Sequence, residues 1–163
     1  MAEGEFVRRL GEVGHWQDNG RVGIVNLLAD AGLHVHEGLV LTRRAHEEFL
    51  RTSGVLRDVR TAARRGEDAR RQAAEIRSRH ASYPVEGALN RAICEALIGL
   101  NARVVVVLSE DLEKGSLRSI PEVKDAVRDA WLSLRGLERQ VEAAARGEDL
   151  PTWPLLVYSQ AKI

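Results

Sequence analysis

The chain has 163 residues, enough for one domain with a real core. Its 24 basic and 24 acidic side chains cancel, so no global field draws it to nucleic acid or to a membrane surface. A single cysteine, Cys94, excludes an intrachain disulfide and fits a reducing compartment.

Residues 1–163 are read as a single domain. The opening MAEGEFVRRL lacks the apolar core of a signal peptide. The longest apolar run, Val104 to Leu108, is far too short to span a bilayer. These features predict a soluble cytoplasmic protein with no membrane partner.

Phe6 to Val13 reads as a short amphipathic segment, and residues 15–19 as a polar loop in which Trp16 packs on the core or stacks on a ligand base. Gly20, Arg21 and Gly23 then open an apolar-periodic helix through Ile24, Val25, Leu27 and Leu28, which Gly32 stops. A glycine-flanked loop before a helix can hold a phosphate, because the helix N-terminus offers free N–H groups and partial positive charge. Arg21 would add a full charge, although an ordinary helix start has the same glycines. His34 to Thr42 is expected to be extended. Thr42 would cap a helix over Arg43–Arg51 that buries Ala45, Phe49 and Leu50.

Two arginine-rich helices follow, Gly54–Arg65 and Glu67–His80, broken at Gly66. From Arg51 to His80 nine arginines meet four acids. The run suits a solvated face or a surface for an acidic partner. With no aromatic interleaved, it fits nucleic acid less well. Tyr83-Pro84 ends the second helix, since a residue before proline is pushed out of the helical region. Val85–Leu100 is the next helix, with Leu89, Ile93, Leu97 and Ile98 as its core stripe and Cys94 as a buried thiol.

The run Arg103 to Leu108 carries four consecutive valines and reads as a strand buried on both faces, the expected centre of the sheet. Burying such side chains contributes roughly 1.5–3 kcal/mol each before entropy is counted. Ser109, Glu110 and Asp111 follow at its C-terminal end, where open sheets often place ligands. Ser119-Ile-Pro121 signals a helix entry. One helix is expected to run from there to about Arg146, with Val123, Val127, Trp131, Leu134 and Val141 inward, roughly 35–40 Å at 1.5 Å per residue. Gly147 closes it, and WPLLVYS, Trp153 to Ser159, forms a last strand.

Three stretches carry a family resemblance. GRVGIVNLLADAGLHVHEGLVLTRRAHEEFL is similar, without a gap, to the pattern GGK-x-x-NL-x-EL-x-x-AGLPVPPGFVLT-x-x-A-Y-x-x-FL. VVVVLSEDL is similar to VAVRSSATAEDL, and WPLLVYSQ to MAVLVQ. These patterns belong to the nucleotide-binding domain of phosphoenolpyruvate synthase and pyruvate phosphate dikinase, a divergent ATP-grasp fold. The resemblance implies an α+β fold, a small mixed or antiparallel sheet packed by several helices, like the first half of an ATP-grasp domain. It implies ATP and Mg²⁺ as ligands, with Arg21, Gly20 and Gly23 beside phosphate and Glu110 and Asp111 facing the same cleft.

The departures bear on function. The family's phosphate lysine falls on Arg21, and a guanidinium fork is not an ammonium point charge. The family's strand-end arginine falls on Leu108, which donates no hydrogen bond. The family's phosphate loop, SFAGQ, falls on residues 116–120, which hold no glycine. His34, His36 and Glu37 replace three prolines. Residues two apart on a strand share a face, so His34 and His36 with a third ligand such as His46 could hold Zn²⁺; a polar strand edge explains them equally, and no metal site is assigned. The sequence stops where the family's second half would begin.

The resulting expectation is a non-catalytic relative of that domain, acting through a protein partner or as a homo-oligomer. No catalytic residue is assigned, and no cofactor beyond residual ATP and Mg²⁺. The alternative is one lobe of a split ATP-dependent phosphotransferase completed by another polypeptide. An arginine-faced nucleic-acid-binding module ranks third.

Overall fold

The computed structural model describes residues 6–9, 38–100 and 103–159. Within them five strands form one sheet: β1 (Val7–Arg9), β2 (Gly38–Leu41), β3 (Val105–Leu108), β4 (Glu113–Leu117) and β5 (Leu155–Ser159). Their order is β1-β2-β5-β3-β4, and every neighbouring pair is antiparallel. Six helices accompany them: α1 (Arg43–Ser53), α2 (Val55–Arg65), α3 (Ala69–His80), α4 (Gly87–Gly99), α5 (Ile120–Trp131) and α6 (Leu134–Ala145). The fold is α+β, as the sequence implies. No described helix is long and apolar enough to cross a membrane.

The valine run does form a strand buried along its whole length, but β5 holds the central position. Burial on both faces does not separate a central strand from its neighbour. The last strand slots between β2 and β3, pairing Val40 with Leu156 and Val107 with Val157. Strand β4, EKGSL, has no apolar alternation and was not expected. It forms because a tight turn folds it back on β3. Ser109 N–H donates to the Leu112 carbonyl at 2.8 Å, while Ser109 Oγ accepts from the Asp111 and Leu112 amides at 3.3 and 3.0 Å. The β3–β4 register shifts between Val105 and Val107, and Ser116, with φ of 60°, lies in the irregular stretch of β4.

Thr42 caps α1 as predicted, its side chain accepting from the Ala45 amide at 3.3 Å. Ala45, Phe49 and Leu50 are buried, and so is His46. Gly54 and Gly66, at φ of 88° and 65°, let the chain leave α1 and α2 in the left-handed region that side chains disfavour.

The single long helix expected after Ser119 is two. Leu132 leaves helical geometry, and Ser133 starts α6 by accepting from the Gly136 amide at 3.1 Å. Trp131 ends α5 fully buried, and a Cβ at Gly136 would lie 2.1 Å from the Trp153 ring, so the glycine just after the break makes room for Trp153. The same break resets the helical phase and leaves Leu134, expected inward, 44% exposed. Ile98 is 74% exposed, since nine residues from Leu89 make two and a half turns and face the other way. Cys94 is half-buried, its thiol 3.6 Å from Asn90 Oδ1.

The main core joins Leu39, Leu41, Val105, Val107, Leu155 and Val157 of the sheet to the helices. A smaller cluster on the alternate sheet positions contains Val40, Leu108 and Leu156, with Tyr158 against it. Helix α6 packs against both α2 and α3.

Candidate functional site

Arg21, Gly20 and Gly23 lie outside the described residues, as do Trp16, His34, His36 and Glu37. Of the expected nucleotide-site residues, Glu110 and Asp111 are placed, on the turn between β3 and β4. Both are exposed at the mouth of an open groove of about 690 Å³. Its walls come from three parts of the chain: Arg77 of α3, the turn through Lys114, and the α5–α6 junction with Asp129, Ser133 and Arg135.

The turn positions its carboxylates by local chemistry. The Ser109 hydroxyl pins the backbone, and Asp111 Oδ2 accepts from Ser133 Oγ at 3.3 Å. Arg135 approaches Asp111 Oδ1 at 4.0 Å, and Arg128 holds Asp129 at 3.3 Å. Arg77 and Lys114 make no ion pair among the described residues. A ligand entering the groove would therefore meet two uncommitted cations beside carboxylates already engaged by neighbours. Nothing in the sequence joins residues 77, 110–114 and 129–135. Only the packing of α3 against α6 and the β3–β4 turn does so.

The positions where the family pattern is broken can also be inspected. Leu108 is buried, sharing an apolar cluster with Val40 and Leu156. Ser116 and Leu117 belong to β4, with Leu117 buried. Ser119 caps α5, accepting from the Glu122 amide at 3.3 Å and donating to Glu122 Oε1 at 3.0 Å. The stretch 116–120 is thus a strand end followed by a serine-capped helix start.

His46 is fully buried. Its Nδ1 accepts from the Trp153 amide at 3.1 Å, so the neutral ring carries its proton on Nε2. Burial pushes its pKa down to about 3. The ring stacks on Trp131 at 5.6 Å and meets the edge of Trp153 at 4.3 Å. Among the described residues, no three His, Cys, Asp or Glu side chains gather as metal ligands.

A second polar centre escaped the sequence. His80 Nε2 lies 2.7 Å from Asp58 Oδ2, and Arg79 Nη1 lies 3.0 Å from the same oxygen. Burial raises the Asp58 pKa, but the His80 and Arg79 contacts outweigh it and hold the carboxyl below its usual range. The trio ties α2 to α3 beneath the arginine-rich surface. Compared with known proteins, the chain matches no protein-family model, and no curated protein is similar enough in sequence to count as a relative.

Proposed function

We propose that the chain is a non-catalytic relative of the phosphoenolpyruvate synthase and pyruvate phosphate dikinase nucleotide-binding domain, acting by binding a protein partner or itself. The observation that carries this reading is Leu108. The position in register with a phosphate-binding arginine is a leucine packed in an apolar cluster. One charge-assisted hydrogen bond is worth about 1.5–3 kcal/mol, so its loss alone weakens a phosphate ligand roughly tenfold to a hundredfold. The Ser119 cap supports the same reading, because it commits the Glu122 amide, which would otherwise be free at this helix start for a phosphate.

A second reading, one lobe of an ATP-dependent phosphotransferase completed by another polypeptide, draws on the groove. Arg77 and Lys114 stand there beside Glu110 and Asp111. Isothermal titration of the purified chain with ATP and Mg²⁺ separates the two. The non-catalytic reading expects no binding at micromolar concentration. Micromolar binding that disappears in Arg21→Ala or Lys114→Ala would overturn it in favour of the second.

A further inference from the structure

We propose that α2 and the C-terminal end of α6 form a docking face for an acidic helix of a partner protein, an inference that rests on the partner-binding reading above. Val55, Val59 and Ala62 turn α2 toward the core. Arg57, Arg60 and Arg64, at helical spacing, are exposed on its other side. Arg60 and Arg64 border an open groove of about 280 Å³ whose remaining lining is Ala63, Ala144 and Ala145.

Charge sets the class of occupant. Arg51 pairs with Glu48, Arg71 with Glu75 and Arg79 with Asp58. Arg57, Arg60 and Arg64 of this face have no acidic partner among the described residues. Guanidinium groups stay charged at any physiological pH, so this face is permanently positive on a chain whose net charge is zero. The last turn of α6 carries no base of its own, and Arg60 and Arg64 beside it offset the partial negative charge of its carbonyls. That local role needs one arginine, and the face presents more.

The groove floor separates protein from nucleic acid. Three alanines between two arginines give an apolar strip with a cationic rim, the arrangement of a small protein interface. Methyl groups allow a partner helix close approach, and its carboxylates four residues apart match Arg60 and Arg64. A phosphate backbone has no use for the strip. Residues 51–80 contain no Phe, Tyr or Trp on which a base could stack, and the His80 ring is buried.

The test is fluorescence anisotropy of the full chain with a labelled, alanine-based helical peptide carrying glutamates four residues apart around a central leucine. Saturable binding is expected, weakened at least about tenfold by the double variant Arg60→Glu/Arg64→Glu. Ala144→Leu, which fills the floor without changing charge, should weaken it by a similar factor. Arg118→Glu, at the entry to α5, is the control, and thermal melts confirm that each variant folds. Equal weakening by Arg118→Glu, insensitivity to Ala144→Leu, or tighter binding of an oligonucleotide of matched charge overturns the proposal. Light scattering that shows a homodimer broken by the double variant also overturns it, since the occupant is then a second copy. ATP binding beside intact peptide binding overturns the non-catalytic reading and leaves the docking face standing. Absence of peptide binding by the native chain, with no ATP binding either, overturns the docking face alone.

Discussion

The cluster around His46 and the turn at Asp111 both place a titratable side chain against the α5–α6 pair, and they put it to opposite uses. His46 is fully buried between Trp131 and Trp153, drawn from parts of the chain some hundred residues apart. Asp111 is exposed and held by the loop it belongs to and by Ser133 across the groove. The first site is sealed and its histidine serves the core. The second is open, and its chemistry faces whatever enters. Burial and the origin of the partners, not residue type, separate structural from accessible chemistry here. The sealed site should therefore respond to mutation through stability. Trp131→Ala is expected to cost about 3–5 kcal/mol in urea denaturation, because it removes the stacking partner of His46 and leaves a cavity against Phe49. A loss below about 1 kcal/mol would mean that the contacts of Trp131 with His46 and Phe49 do not anchor α1 to the end of α5.

The same contrast predicts how acid acts on the fold. The folded His46 pKa of about 3 lies below its ordinary 6.5, so below about pH 6.5 the unfolded chain takes up a proton that the folded chain refuses. Stability from this group is present above pH 6.5 and falls toward pH 3, at up to about 1.4 kcal/mol per pH unit. Asp58, whose carboxyl is also depressed, loses its contribution lower, below its ordinary 3.8, as pH falls through the folded value. Among the described residues, the slope between pH 6.5 and 4 therefore belongs mainly to His46. Urea midpoints measured across that window should fall with acid in the native chain and fall less in His46→Phe. The variant also loses the acceptor of the Trp153 amide, about 1–3 kcal/mol for an unsatisfied buried donor, and so starts less stable at pH 7. Parallel slopes would show that the histidine is not the group that acid titrates.

Much of the fold was legible because it is written in local signals. Thr42 before an amphipathic run, glycines after α1 and α2, and an unbroken valine run each fix an element within a few residues. The failures share a cause. Strand β4 exists only because a turn folds it onto β3, and the α5–α6 break brings Gly136 against the ring of Trp153, which belongs to neither helix. Neither is signalled by the apolar period of the segment itself. His46 was legible as a polar residue on a helix, but its burial depends on Trp153, which no period in α1 reveals. Of the candidate site, Glu110 and Asp111 could be placed at a strand end. Arg77, Lys114 and Ser133 could not, because their meeting is a product of helix packing. Ser133 did have a usable signal, since a serine three residues before a glycine can cap a new helix, but the continuous apolar period concealed it.

The smallest expected effect is the one that tests the open site. Asp111→Asn removes a charge whose ionic contact, to Arg135, is 4.0 Å long and solvent-facing, and the amide oxygen can still accept from Ser133. Exposed pairs of this kind contribute roughly 0–1 kcal/mol, so the thermal midpoint should move by only a degree or two. Ser133→Ala is the informative companion. It loses the same inter-element bond and also the α6 cap, and should cost about 0.5–2 kcal/mol. If Asp111→Asn destabilises the chain as much as Ser133→Ala, the carboxylate is structural and the turn resembles the His46 cluster after all. If the Asp111 variant is as stable as the parent, the negative charge at the groove mouth is free of folding duty. Any change in partner or nucleotide binding on its removal then reports directly on the groove.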